Sequence, residues 1–297
     1  MIAWVALALA VAGAGLVVSA RRRTYRMEPS IRLAAPAGAL SVVAFRVPAD
    51  SELRDSAVRA SALRGRAIAR ATRESLPEHV GNALRCVSCH PDDGTRAGAM
   101  PWVGVYARFP QYRSRSGRVI TLEDRINDCF ERSMNGRALA PRGRDVADMV
   151  AYMAFLSVGV PQGAAMTGQG IPAITPPLAG DTLRARAAYA AECARCHGAD
   201  GLGGVAPPLW GPQSYNVGAG MSRVRTAAAF IRHAMPFDRP GTLTDQQAFD
   251  LAALINARPR PDFPGKENDW PLGDPPPDVA YPTTAAVKAR RPVRPAP

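Results

Sequence analysis

The chain has 297 residues, 47% of them hydrophobic, which is enough apolar material to bury cores in two ordinary domains. That composition excludes a disordered chain, a collagen-like chain and a multi-span membrane protein, and five cysteines are too few for a small disulfide-stapled scaffold. A formal charge of +12 would suit nucleic acid or an acidic surface, yet all but two of the 37 basic residues are arginines scattered along the chain, lysine occurring only at Lys266 and Lys288, so no nucleic-acid partner is expected.

At the N-terminus, Ile2 to Ala20 form an uncharged apolar run. As a helix it would be about 28 Å long, close to the hydrocarbon thickness of a bilayer. Residues 1–20 read as an export signal or as a single inner-membrane anchor. Arg21, Arg22 and Arg23 follow the run, whereas an export signal carries its positive charge before it. Taken alone, that order keeps the body of the protein in the cytoplasm, but Val18-Ser19-Ala20 resembles a cleavage site. A linker is expected over 21–46, a first domain over 47–162, a second linker over 163–180 and a second domain over 181–258.

Within the first domain lies Cys86-Val87-Ser88-Cys89-His90, and the second repeats the pattern as Cys193-Ala194-Arg195-Cys196-His197. Two sulfurs from one helical turn can form thioethers with the two vinyl groups of a haem, and the adjacent histidine then reaches the iron from the same side. A zinc site needs four ligands, and no further C-x-x-C completes either copy. Cys86, Cys89, Cys193 and Cys196 are therefore expected to attach two haem c groups, with His90 and His197 as iron ligands. Such attachment takes place outside the bacterial inner membrane, so the protein is expected to be exported to the periplasm, either soluble or attached through residues 2–20.

Thr121-Leu122-Glu123-Asp124 opens a helix predicted to run to about Asn135, before Gly136. Arg144 to Ser157, carrying Val146, Met149, Val150, Met153 and Phe155, reads as a core helix. Pro161 to Pro177 is rich in glycine and proline and places the domain boundary near residue 170. Asp181 to Glu192 reads as a helix leading into the second motif, and a capping box at Thr244-Asp245-Gln246-Gln247 opens another that runs to about Ala257. Strand signals are weak, so the fold class is mostly α: two tandem cytochrome c-type domains, each with one covalent haem. Prolines crowd the chain after Ala257, so 259–297 is expected to be an extended tail without helix, solvated or laid over a domain surface.

A second axial ligand must come from a segment that wraps to the other face of the porphyrin, a few dozen residues past each histidine. In the second domain this points to Met235, just ahead of the helix opened at Thr244, where a thioether would raise the haem potential. Met221 and then His233 are the alternatives. The equivalent position of the first domain, at nearly the same separation from His90, is Cys129. Met100 lies too near His90 to reach the far face, and Met134, Met149 and Met153 read as helix packing. On the predicted helix, Arg125, Cys129 and Ser133 stand at i−4, i and i+4 and share one face. A guanidinium beside a thiol favours the thiolate. Arg132 lies next to this face, and Arg113, Arg115, Ser116 and Arg118 precede it in a loop. Together they describe a basic, hydroxyl-bearing pocket for an anion that reacts with sulfur.

Trp102-Val103-Gly104-Val105-Tyr106, Arg115-Ser116-Gly117 and the run from Leu122 through Cys129 to Gly136 resemble the dihaem c-type thiosulfate dehydrogenases. These enzymes couple two thiosulfates into tetrathionate and can run as tetrathionate reductases. The resemblance extends from about Val47 to Tyr281. It implies His90 and Cys129 as axial ligands of the first haem and His197 and Met235 as those of the second, with Arg115, Ser116, Arg125 and Ser133 in the substrate pocket. It also implies an external electron acceptor such as a small cytochrome c. Some members carry a lysine before the methionine and exchange the two ligands with redox state; here that place is Ala234. The expected chemistry is a transient sulfur–sulfur bond between Cys129, released from the iron, and one thiosulfate, which a second thiosulfate displaces. A plain dihaem electron carrier and a sulfur-transferring subunit of a sulfur-oxidising multi-enzyme system are the alternatives.

Overall fold

The computed structural model describes residues 42–289. The apolar run at 2–20, its arginine flank and the last eight residues lie outside the described residues. Among the described residues no helix is long and apolar enough to cross a membrane.

In the first domain α1 (Ser56–Arg70) starts at Asp55, whose carboxylate accepts from the Ala57 and Val58 amides at 2.9 Å each, as an N-cap should. Two short turns follow, α2 (Thr72–Ser75) and α3 (Pro91–Gly94), with the first Cys-x-x-Cys-His motif between them. A hairpin of β1 (Gln111–Arg113) and β2 (Arg118–Ile120) pairs Tyr112 with Val119. This corrects the expectation of a loop there: strands this short, with arginine at their ends, carry no clear period-two signal.

The helix α4 (Leu122–Asp128) opens on the Thr121–Asp124 capping box as expected, but it does not continue as an α-helix to Asn135. Residues Cys129–Ser133 widen into a π-turn, in which the Met134 amide bonds to the Cys129 carbonyl at 2.9 Å. The core helix α5 (Arg144–Phe155) packs along α1. Their contact is close because residue 65 is glycine: a Cβ there would lie 2.0 Å from the Asp148 carbonyl oxygen. The buried Asp148 carboxylate accepts from Ser61 at 2.5 Å and from the Arg64 fork at 2.8 and 2.9 Å.

The second domain contains α6 (Arg184–Glu192), α7 (Ala194–His197), α8 (Val224–Ala234) and α9 (Asp245–Asn256), the last opened by the Thr244–Gln247 capping box. Helix α6 begins at Arg184 rather than at Asp181 as predicted, with Asp181 accepting from the Leu183 and Arg184 amides at 2.7 and 3.1 Å ahead of it. The stretch around 163–180 is not loose chain. Met166 pairs with Val43, and the Gly168 and Gly170 carbonyls accept from the Gly98 and Met100 amides at 2.7 and 2.9 Å.

The proline-rich tail turns back over the first domain. Asp269 holds Arg132 through two bonds of 2.8 Å and accepts the Tyr281 hydroxyl at 2.5 Å, while the Trp270 amide donates to the Arg115 carbonyl at 2.8 Å. The expectation that this tail contains no helix is corrected by α10 (Thr284–Ala289). Between Pro282 and Pro292 the chain has no proline and includes Ala285, Ala286 and Ala289, so nothing there blocks an N–H ladder.

Two stability outcomes follow from this packing. Gly65→Ala should gain up to ~1 kcal/mol of helix propensity but lose ~1–3 kcal/mol to the collision with Asp148 backbone, giving a lower Tm in thermal denaturation of the haem-loaded protein. Asp269→Ala leaves Arg132 only the longer pairing to Asp128 at 3.8 Å and should cost on the order of 3 kcal/mol, with faster proteolysis after residue 262; an unchanged digestion pattern would contradict the role of the tail.

Candidate functional site

Each motif folds so that its sulfurs and imidazole come from a single turn. The Cys89 and His90 amides both bond to the Cys86 carbonyl, at 3.2 and 3.1 Å, and the Cys196 and His197 amides to that of Cys193, at 3.1 and 3.0 Å. No disulfide joins any of the five cysteines. The first motif faces a cavity of about 340 Å³ walled mainly by apolar side chains such as Leu84, Trp102, Phe109, Met149 and Met153. The second faces one of about 510 Å³ whose wall includes Leu209, Phe230, Ile231 and Leu251. Burial pushes the Cys86 and Cys89 thiols up to about 12 and that of Cys193 up to about 11. Among the described residues no group of three or more His, Cys, Asp or Glu is arranged to hold a metal ion by itself.

The histidines are oriented in one way in both domains. His90 Nδ1 donates to the Met100 carbonyl at 2.5 Å and His197 Nδ1 to the Pro207 carbonyl at 2.7 Å. With the proton held on Nδ1, the Nε2 lone pair is left for a metal. Burial lowers both imidazoles, His90 to about 4 and His197 below its usual range, so both stay neutral at pH 7. Paired thiols, a neutral and oriented imidazole and an apolar cavity fit a covalently attached haem in each domain. Sequence reasoning treated Met100 only through its sulfur and overlooked its carbonyl. The signal was present: both acceptors stand at the same separation from their histidine.

Cys129 and Met235 line the first and second cavities respectively. Met235 caps the end of α8, and Met221 lines the same cavity, whereas His233 does not. Cys129 opens the π-turn, and Arg125 Nη1 donates to its sulfur at 2.8 Å. The Cys129 charge raises the pKa of Arg125 despite burial. Ser133 lines this cavity too, and its carbonyl accepts from Asn82 Nδ2 at 2.9 Å. The structure therefore brings Arg125, Cys129 and Ser133 together.

Arg115 and Ser116 are placed elsewhere. Arg115 donates to the Gly218 carbonyl and lies over the Trp270 ring at 4.8 Å, and burial with the neighbouring Arg132 charge pushes its pKa down to about 10. Ser116 is exposed and donates to the Arg113 carbonyl at 3.3 Å. The cavity wall instead receives Arg113, which the sequence placed in the same basic loop, and Arg108, which it did not single out. A hairpin decides which of several nearby arginines points inward, and that hairpin was not visible in the sequence.

The two cavities have a wall in common, made of Leu84, Arg85 and Cys89. Tyr215, from the second domain, is buried in the first core and also borders the second cavity. Trp210 stacks near Tyr189 with ring centroids 5.3 Å apart and belongs to the second core. In the double variant Cys193→Ala/Cys196→Ala, intact-protein mass spectrometry should find one covalent haem instead of two; retention of both would refute attachment at the second motif.

Residues 78–162 match the SoxA/TsdA cytochrome c domain model, and residues 180–255 match cytochrome C oxidase, cbb3-type, subunit III. The chain is 49% identical over 245 residues to a thiosulfate dehydrogenase of Allochromatium vinosum, covering 79% of this chain and 91% of that protein. It is 41% identical to a thiosulfate dehydrogenase of Psychrobacter arcticus, covering 79% and 74%. Among solved structures, the thiosulfate dehydrogenase TsdBA of Marichromatium purpuratum superposes with a TM-score of 0.71 at 40% identity, over 74% of this chain and 50% of that one, so the chain spans half of that relative's length. With two cytochrome c domains, two haem-attachment motifs and relatives of this identity and coverage, the chain belongs to the thiosulfate dehydrogenase family and is a dihaem c-type cytochrome.

Proposed function

We propose that this protein oxidatively couples two thiosulfates to tetrathionate in the periplasm, and that the reaction can run in reverse. The observation that carries this reading is the Arg125–Cys129 contact inside the first cavity: a sulfur at 2.8 Å from a buried guanidinium, on the wall that also carries the first haem-attachment motif. An electron carrier needs a ligand there but not a cluster of cations around it.

His90 and Cys129 would hold the first haem iron and His197 and Met235 the second, with the four motif cysteines making the thioethers. When bound, the haems supply one-electron acceptors that take both electrons from the first domain to the second and on to an external acceptor such as a small cytochrome c. Arg125 holds the sulfonate end of a thiosulfate dianion, and the Ser133 hydroxyl donates to its oxygens. Arg115 and Ser116 enter the pocket through the sequence pattern and the family resemblance. The Cys129 sulfur joins the outer sulfur of the first thiosulfate, releasing two electrons and leaving a cysteine S-thiosulfonate. The outer sulfur of a second thiosulfate attacks that sulfur and expels the Cys129 thiolate, giving tetrathionate with charge conserved.

Cys129→Gly should keep both haems attached yet lower thiosulfate-dependent reduction of an acceptor by ~100-fold or more. Full activity in this variant would remove Cys129 from the chemistry. If neither haem of the wild type were reduced by thiosulfate, and tetrathionate did not reoxidise the reduced protein, the protein would be an electron carrier.

A further inference from the structure

Four guanidinium groups border the first cavity, those of Arg85, Arg108, Arg113 and Arg125. Arg85 is tied to Glu74, and Arg125 is bonded to the Cys129 sulfur. Arg113 differs from both. It stands at the end of β1, and its Nε is buried with no hydrogen-bond partner. Among the described residues no carboxylate lies within ion-pair distance of it; its aromatic contact is the Phe109 face, 5.8 Å away. A buried N–H without an acceptor is unfavourable, and a second guanidinium nearby makes it more so. Burial and the charges of Arg125 and Arg108 hold Arg113 below the usual guanidinium range, while Asp128 and Cys129 oppose that. Its charged surroundings are thus those of the reactive sulfur.

An unpartnered cation beside another cation is a site of stored positive potential, which a dianion relieves. The fork geometry of arginine suits an oxygen-bearing anion. Arg125 has already committed one N–H to sulfur, and a single cation does not balance the two charges of a dianion. We propose that Arg113 is a substrate-binding residue, the second cationic contact for the sulfonate oxygens of thiosulfate next to Cys129. This assignment rests on the thiosulfate reading of the first cavity. Two carboxylate side chains of a bound haem present the same chemistry to an arginine, so the test separates the two anions.

The experiment uses the haem-loaded Arg113→Gln and Arg113→Lys variants, checked for two covalent haems by mass. Steady-state kinetics with thiosulfate are compared with the visible spectrum and reduction potential of each haem in thiosulfate-free protein. The expected result is a KM for thiosulfate raised by ~10-fold or more in Arg113→Gln and partly restored in Arg113→Lys, with spectra and potentials unchanged. An unchanged KM in an active Arg113→Gln variant overturns the assignment alone. A shifted potential of the first haem with an unchanged KM overturns it in favour of a haem carboxylate contact. A wild type inactive with both thiosulfate and tetrathionate overturns the thiosulfate reading, and the assignment with it.

Discussion

An imidazole can give its Nε2 lone pair to iron only when its proton is held elsewhere, and in this protein a backbone carbonyl holds it twice, at Met100 and at Pro207. Much of the surrounding loop structure serves that bond. Met100 adopts a left-handed backbone at φ 54°, uncommon for its side chain. Its amide is anchored to the Gly170 carbonyl at 2.9 Å, and Pro101 and Trp102 continue into the cavity wall. The Trp102 ring lies 4.8 Å from the His90 ring. The chain joining the domains is drawn into the same task, because Gly170 and Ile171 border the first cavity. A histidine held at both its backbone and its Nδ1 keeps one orientation through repeated electron transfer, which a mobile ring would not.

How much of this was legible in the sequence follows from what fixes each feature. The haem-attachment motifs were plain because the porphyrin dictates the residue types and their spacing. Helix starts were plain where a side chain makes the cap, as at Thr121 and Thr244. The π-turn at Cys129–Ser133 was hidden, since no residue type announces it, and the helix stops there because carbonyls 131–133 are taken by other segments. Asn216 Nδ2 takes the Glu131 carbonyl at 2.9 Å, the Asn216 amide takes that of Arg132 at 3.2 Å, and Asn82 takes that of Ser133. Arg113 and Arg115 are alike in sequence. Their division of labour, one toward the cavity and one toward Trp270, is a tertiary outcome. The short helix in the proline-rich tail was missed because proline content was averaged over the whole tail, when a single proline-free stretch was enough.

The wall of the first cavity is consequently not the property of one domain. Its helix belongs to the first, the last carbonyls of the π-turn are bonded from the loop at 214–218, and Asp269 of the tail holds Arg132 in the turn. Arginine suits this arrangement because it can be structural and cationic at once. Arg132 lies over Phe263 at 4.2 Å while paired with Asp269, and Arg260 lies over Tyr215 at 4.2 Å while donating to the Ile255 carbonyl at 2.7 Å. Both arginines thereby join segments distant in sequence.

The wall formed by Leu84, Arg85 and Cys89 is common to both cavities. Cys89, from the Cys-x-x-Cys-His motif of the first domain, thus also borders the cavity faced by the motif of the second. With a haem in each cavity, this short segment would stand between the two redox centres. It would then serve as a spacer built from one stretch of the first domain, independent of the length of the interdomain connection.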